Sequence, residues 1–228
     1  MNDGDGVKKD YKLVYLSSTW VRNSLRRCQV YDSVAKMWTM DKHLNFGGGA
    51  IDLDHPVVYD ETIFWALVQE SRMMIKPYVV AFDLRTECTQ IIRPPERINI
   101  VASDIIGIGK WEGKSLCIIH YRASSPRVFT LELMEKSSNN GIRWVIAHEI
   151  SLDRMGFKEP LNLMSTMPSE VATTTLLVFT THEDIYTYSI KDGKFKKLGL
   201  LGLCLASLIP YSNTLRQCGQ REELFETT

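Results

Sequence analysis

The chain has 228 residues, enough for one substantial hydrophobic core or two small ones. Its apolar content of 44% is ordinary for a globular protein and excludes a chain that is disordered throughout. Lysine plus arginine and aspartate plus glutamate number 27 each, so the formal net charge is zero, which argues against a nucleic acid as partner.

Cysteine usage and the character of the termini predict an intracellular protein. The five cysteines are odd in number, form no Cys-x-x-Cys pair and have no spacing that suits zinc. We therefore expect reduced, mostly buried thiols in the cytoplasm or nucleus. Residues 1–6 are polar and acidic, unlike a secretory signal, and the apolar run 198–209 is too short to cross a bilayer, so no membrane partner is expected.

The first half of the chain is predicted to form short strands separated by turns. Residues 1–10 are expected to be a flexible N-terminal tail. The strands are rich in β-branched and aromatic residues, and they are predicted at 11–16, 28–32, 37–40, 62–67, 77–84 and 88–92. Gly47-Gly48-Gly49 is predicted to be a flexible turn or a bulge, and Pro94-Pro95 ends a sheet.

The second half continues in the same way. Strands are predicted at 105–111, 116–121, 127–134, 143–148, 175–181, 184–190 and 195–200. Asn140-Gly141 and Asp192-Gly193 are favoured hairpin pairs. No stretch of ten residues between 11 and 200 has a helical stripe, residues 203–215 are compatible with a strand or a short helix, and residues 216–228 are predicted to be a flexible tail.

A three-residue pattern recurs about every fifty residues. Its copies are Val30-Tyr31-Asp32, Ala81-Phe82-Asp83, Thr130-Leu131-Glu132 and Thr187-Tyr188-Ser189. In the first and fourth copies an aromatic residue follows seven positions after the tyrosine. A recurrence of this length with several strands per unit predicts an all-β, β-propeller-like fold of about four blade-like units of antiparallel strands. A β-sandwich does not predict the recurrence, and four units are few for a closed ring, so blade count and closure stay open.

No catalytic, cofactor-binding or metal-binding residue is predicted. His120 and His148 lie in apolar strands, where a core or sheet-face histidine is expected. Asp52 and Asp54 flank His55, but their spacing matches no metal cage that we can justify. Gly107-Ile108-Gly109 lacks the following helix that a nucleotide-binding loop requires.

Two sets of residues are candidates for binding a partner. Trp38, Trp65, Trp111 and Trp144 occur about once per unit, and we favour packing between sheets over a ring of recognition surfaces. The segment containing Arg72, Met73, Met74 and Lys76 is predicted to be an exposed insert that contacts a partner. The alternative is that its methionines pack over the end of a sheet.

Several motifs in order resemble the F-box-associated domain of plant F-box proteins, over roughly residues 11–215. The motifs are Tyr11-Lys12-Leu13-Val14, Val30-Tyr31-Asp32 with Trp38, Ile63-Phe64-Trp65-Ala66, Val80-Ala81-Phe82-Asp83-Leu84, Ile91-Ile92-Arg93-Pro94-Pro95, Ile185-Tyr186-Thr187-Tyr188 with Lys194-Phe195-Lys196, and Ala206-Ser207-Leu208-Ile209-Pro210-Tyr211. Each motif alone is loose, but their order and spacing together are more specific.

The resemblance implies a kelch-like propeller that selects substrates for a cullin-based, SCF-type ubiquitin ligase. In that family an N-terminal F-box binds the Skp adaptor and the associated domain captures the target. Since this sequence has no F-box before residue 11, the Skp adaptor and cullin are expected as partners only through an F-box that it lacks.

The resulting expectation is a non-catalytic protein-binding module with no cofactor, whose target protein the sequence does not identify. One alternative is a propeller-type enzyme that acts on carbohydrate or through a metal, which would need convergent histidine, tyrosine or acidic residues. Another is a truncated F-box relative that binds targets without delivering them and so competes with full-length relatives.

Overall fold

The computed structural model describes residues 10–17, 24–67, 77–95, 104–111, 115–136, 142–158, 161–171, 174–181 and 184–200. Within these ranges the chain forms fifteen β-strands and no helix, so the all-β prediction is confirmed. The strands form four antiparallel sheets, and in each sheet consecutive strands lie side by side as a meander.

The first sheet has three strands and the second has four. The first contains β1 (Lys12–Leu16), β2 (Leu25–Asp32) and β3 (Met37–Asn45). The second contains β4 (Val57–Tyr59), β5 (Thr62–Ala66), β6 (Val79–Asp83) and β7 (Cys88–Ile92).

The third and fourth sheets have four strands each. The third contains β8 (Ile105–Trp111), β9 (Ser115–Arg122), β10 (Val128–Lys136) and β11 (Ile142–Ser151). The fourth contains β12 (Leu161–Val171), β13 (Thr174–Thr181), β14 (Asp184–Ser189) and β15 (Lys194–Leu200).

Strand β12 has no counterpart among the predicted strands. It contains Pro168, and a proline argues against a strand because it donates no hydrogen bond to a neighbour. β12 accommodates the proline because it is an edge strand, hydrogen-bonded only to β13, with Pro168 opposite Leu177. The edge position of a strand is a tertiary property that the local sequence does not reveal.

Side chains of the second sheet alternate between its two neighbours. Trp65, Val80 and Phe82 pack against the first sheet, whereas Phe64 and Val79 pack against the third. Successive side chains of a strand point to opposite faces, so a sheet covered on both faces needs a continuous apolar run. The run 79–82 in β6 is buried at every position, as this arrangement requires.

The third sheet is also covered on both faces. Leu116 and Ile118 pack toward the second sheet, and Cys117 and Ile119 pack toward the fourth. The core between the third and fourth sheets includes an aromatic cluster of Phe129, Phe157, Phe179, Tyr186 and Phe195. The four sheets therefore stack in chain order, each described core lying between consecutive sheets.

Of the four tryptophans among the described residues, three serve this packing. Trp65 and Trp144 are buried, and the indole nitrogen of Trp144 donates a hydrogen bond to the carbonyl of Arg93 at 3.1 Å. Trp111 is partly buried against the core between the third and fourth sheets. The packing interpretation is confirmed for these three, but it is wrong for Trp38, whose side chain is half exposed.

Three copies of the sequence pattern end at equivalent hairpin turns. Oδ1 of Asp32 accepts hydrogen bonds from the amides two and three residues later, at 2.8 and 3.1 Å. Oδ1 of Asp83 does the same at 2.8 and 2.9 Å. In the fourth copy, Oγ of Ser189 accepts from the amide three residues later, at 3.3 Å. A short polar side chain thus closes each turn by binding its own backbone.

The third copy is wrongly aligned. Phe82 and Tyr188 pack toward the preceding sheet, whereas Leu131 packs toward the following one. An odd displacement along a strand moves every side chain to the opposite face, so the predicted copy is out of phase. Met134, paired with Trp144 in β11, occupies the face that corresponds to Phe82.

Acid is expected to destabilise the protein partly through these turns. The amide hydrogen bonds, of which those from Ala35 and Thr86 are the largest, lower the pKa values of Asp32 and Asp83. A carboxylate with a lowered folded-state pKa stabilises the fold above its ordinary pKa, and this stabilisation is lost as pH falls through the folded value. Urea unfolding between pH 6 and pH 2 should therefore show a smaller pH dependence for the Asp32→Asn, Asp83→Asn double variant. An unchanged pH dependence would contradict this assignment.

Candidate functional site

The first sheet has one face that no other described element covers. Val14, Cys28, Val30 and Met40 point from this sheet into the core with the second sheet. The alternate residues point the other way, and we define them as the outward face: Leu13, Tyr15, Arg27, Gln29, Tyr31, Trp38 and Asp41.

The outward face has an aromatic part that is open to solvent. The register places Tyr31 between Leu13 of β1 and Trp38 of β3. The Tyr31 and Trp38 rings meet edge to face, with centroids 5.7 Å apart. The side chains of Leu13, Tyr15 and Trp38 are 53%, 54% and 50% exposed. Large apolar side chains grouped on one exposed face are typical of a surface that another molecule covers.

Beside the aromatic part lies a charged part. Arg27 pairs with Asp41 through two hydrogen bonds, Nε to Oδ1 at 2.7 Å and Nη2 to Oδ2 at 2.5 Å. Gln29 also donates to Asp41, at 3.0 Å. The Asp41 carboxylate raises the pKa of Arg27, and the Arg27 hydrogen bond lowers the pKa of Asp41, so both groups are charged. The outward face thus combines aromatic area with fixed charges of both signs.

Comparison with the fourth sheet indicates what the outward face is suited to do. Tyr31 and Trp38 of the first sheet correspond to Tyr188 and Phe195 of the fourth, because both pairs lie opposite each other across a hairpin, seven residues apart. Tyr188 and Phe195 pack against the core with the third sheet. The same arrangement in the first sheet faces solvent, so the residues that elsewhere bind a neighbouring sheet are available there to another surface.

The predicted contact residues are a different set. Arg72, Met73, Met74 and Lys76 lie outside the described residues, so the structure places none of them. Sequence reasoning missed the outward face, although Leu13-x-Tyr15 alternates as a half-exposed strand does. The missing information was that no described sheet packs on this side of β1 and β2.

His120 and His148 adopt the core and sheet-face roles predicted for them. His120 is buried, and its Nε2 lies 3.3 Å from Oδ2 of Asp104. His148 lies on a sheet face beside the ring of Tyr188, with centroids 6.1 Å apart. His55 Nδ1 lies 2.8 Å from Asp52 Oδ2. Across the described ranges, no three potential metal-ligating side chains come together as a metal site would require.

The structure describes three of the five cysteines, and two of these three are buried as predicted. Cys28 and Cys117 are free and buried, whereas Cys88 is free and exposed. Burial raises the pKa of Cys28 to about 11 and that of Cys117 to about 12, so both remain protonated at neutral pH. Among these three cysteines, Cys88 is the one whose thiol a reagent in solution can reach.

The described part of the chain contains no helix that is long and apolar enough to span a bilayer.

Comparisons with known proteins leave the family open. No protein-family model and no curated protein matches the chain. Seventeen chains of known structure match it. One is the extracellular domain of a hybrid two-component system from B. thetaiotaomicron, with 11% sequence identity and a TM-score of 0.41. The match covers 81% of this chain and 22% of that one, so this chain spans about a fifth of that protein's length. A likeness at this TM-score carries no argument about function.

Proposed function

We propose that the chain is a non-catalytic protein-binding module that binds a target protein at the outward face. The observation that carries this proposal is the exposure of Leu13, Tyr15 and Trp38 beside the Arg27–Asp41 pair. Tyrosine, tryptophan and arginine are the residues that most often supply the binding energy of protein interfaces. They are present here on one strand-built surface, where few side chains need to be ordered on binding.

We also propose that the four sheets are blades of a propeller-like arrangement. The meander of each sheet and the stacking of consecutive sheets support this. Strand β8 lies against both β4 and β12, and β3 lies against β7. In these contacts the first strand of one sheet lies against the first strand of the next, and the last strand lies against the last. Adjacent blades arranged radially around a common axis have this relation.

The F-box-associated resemblance adds a narrower proposal about the target. The bound protein would be a substrate of a cullin-based ubiquitin ligase, with the Skp adaptor and cullin reached through an F-box. Co-purification of this chain with and without a fused F-box tests it. Recovery of adaptor and cullin with the fused form, together with ubiquitination of the bound target, is the expected result; a target that is bound but never ubiquitinated would contradict it.

Site-specific crosslinking tests the protein-binding proposal. A photoreactive phenylalanine analogue at Leu13 should crosslink a specific protein in cells that express the chain. The same analogue at Leu198, which is equally exposed on β15, is the matched control and should not crosslink that protein. We expect Trp38→Ser to lower the affinity of the isolated partner by about tenfold to a hundredfold, as the loss of a central aromatic anchor does.

Two outcomes would contradict the proposal. One is crosslinking of the same proteins from both positions, which indicates non-specific contact. The other is an unchanged affinity of the isolated partner for the Trp38→Ser variant. The Trp38→Ser variant loses the edge-to-face contact with Tyr31, worth about 0.5–1.5 kcal/mol, and part of the half-buried indole surface. Its unfolding free energy is therefore measured in parallel, and a loss of binding counts only for a variant that is folded under the binding conditions.

A further inference from the structure

A cleft of about 370 Å³ separates parts of the second and third sheets. Phe64, Ala81 and Ile92 of the second sheet form its apolar floor, and Met134 and Ile142 of the third sheet line the opposite wall. Phe64, Ala81, Ile92 and Met134 are buried, whereas Ile142 is more than one-third exposed. The cleft is therefore a local opening at the edge of the core between the second and third sheets.

The mouth of the cleft is a polar row that crosses the whole second sheet. The register places Tyr59 opposite Thr62, Thr62 opposite Asp83, and Asp83 opposite Cys88. All four residues line the cleft. Neighbouring strands lie about 4.8 Å apart, so Tyr59 and Asp83 are separated by roughly 10 Å along the row. A planar group of a few atoms fits between the ring and the carboxylate, above Thr62.

The charge at the mouth is negative. The amides of Arg85 and Thr86 donate to Oδ1 of Asp83, at 2.8 and 2.9 Å, and lower its pKa, so Asp83 is ionised at neutral pH. Asp60 is a second carboxylate in the lining, and the described lining includes no lysine, arginine or histidine. The nearby Arg85 pairs with Glu61, Nε to Oε2 at 3.0 Å, and its positive charge also helps to lower the pKa of Asp83. This one cation is outnumbered by three carboxylates, those of Asp83, Asp60 and Glu61.

We propose that this cleft receives an arginine side chain of the partner protein; this rests on the proposed protein-binding function. The partner's aliphatic stem lies on the floor of Phe64, Ile92 and Met134, as long basic side chains do on apolar surfaces. Its guanidinium pairs with Asp83 and stacks on Tyr59. A planar, weakly hydrated guanidinium suits a carboxylate beside an aromatic ring better than the compact, strongly hydrated ammonium of lysine.

The exposed thiol of Cys88 provides a reporter, since it lies next to Asp83 in the polar row. The protein for this experiment carries Cys204→Ser and Cys218→Ser, and Cys28 and Cys117 are buried. The probes are pentylguanidinium and pentylurea, which have the same length and shape but differ in charge. Alkylation of Cys88 by iodoacetamide is followed at increasing probe concentration, and probe affinity is measured in parallel by calorimetry.

We expect pentylguanidinium to slow alkylation of Cys88 and to bind at least about tenfold more tightly than pentylurea, because its hydrogen bonds to the carboxylate are charge-assisted. Asp83→Asn should remove this preference while keeping the turn, since an asparagine oxygen also accepts the two amide hydrogen bonds. Asp32→Asn changes the equivalent turn of the first sheet and should leave the preference intact.

Equal affinity of the two probes, or a preference for pentylguanidinium that survives in Asp83→Asn, would overturn the inference. So would the absence of calorimetric binding by either probe. Failure here is distinguishable from failure of the proposed function, because Trp38→Ser tests the outward face. A partner that loses affinity for Trp38→Ser but binds Asp83→Asn as tightly as wild type would leave the proposed function standing and overturn the arginine site.

Discussion

Replacing Phe179 with alanine is expected to lower the free energy of unfolding by about 3–5 kcal/mol, the cost of deleting a fully buried aromatic side chain. The residue is 1% exposed. Its ring centroid lies 5.3 Å from that of Phe129 in the third sheet and 5.7 Å from that of Phe195 in the fourth. The substitution removes the transfer free energy of the ring and leaves a cavity that two separate sheets cannot fill by a small shift of side chains.

Denaturant unfolding followed by circular dichroism measures this change. Leu198→Ala is the matched control, because Leu198 is also an apolar residue of the fourth sheet but is 55% exposed. We expect the control to change stability by less than about 1 kcal/mol. Equal effects of the two substitutions would mean that the third and fourth sheets do not pack through this aromatic cluster.

Replacing Gly47 with alanine is expected to lower the free energy of unfolding by about 3 kcal/mol. Gly47 has a φ of 78°, where an alanine costs about 1–2 kcal/mol more than a glycine. A Cβ at this position would also overlap the hydroxyl of Tyr78. That hydroxyl donates to the carbonyl of Phe46 at 3.1 Å and accepts from the amide of Gly49 at 3.0 Å, so moving it breaks two hydrogen bonds. Overpacking of this kind adds about 1–3 kcal/mol.

The neighbouring glycine supplies the control. Apart from Gly48 itself and its two chain neighbours, no described residue would have an atom within 4 Å of a Cβ on Gly48, and the φ of Gly48 is not positive. Gly48→Ala should therefore leave the unfolding free energy within about 1 kcal/mol of wild type. If Gly47→Ala and Gly48→Ala were equally tolerated, the turn would not be fixed by the Tyr78 hydroxyl as described.

Much of the strand content could be predicted from local sequence. The run 77–84 is apolar and β-branched because β6 is buried on both faces, and 184–190 alternates about a hairpin that Asp192-Gly193 closes. The recurrence of about fifty residues also corresponds to structure, because its copies lie in β2, β6, β10 and β14, the next-to-last strand of each sheet. Local propensity and turn chemistry act within one hairpin, so one sequence suffices to detect them.

The features that could not be predicted from the sequence depend on contacts between residues far apart in the chain. The third copy was assigned to Leu131, three residues before Met134, which occupies the equivalent face. The sequence does not reveal this error, because both residues are apolar and only the neighbouring sheets show which face each one occupies. The exposure of Trp38 was missed for the same reason. The cleft beside Asp83 lies between two different sheets, and its polar row requires the register of four strands.

The claim that a protein partner covers the outward face is tested most directly by hydroxyl-radical footprinting of the unmodified chain, alone and in its non-covalent complex with the partner that crosslinking identifies. In the free protein, Tyr15 and Trp38 should be oxidised much faster than the buried Trp65 and Trp144. In the complex, oxidation of Leu13, Tyr15 and Trp38 should fall several-fold while that of Leu198 stays the same. Unchanged oxidation of Tyr15 and Trp38 in a complex shown to be formed would contradict the account.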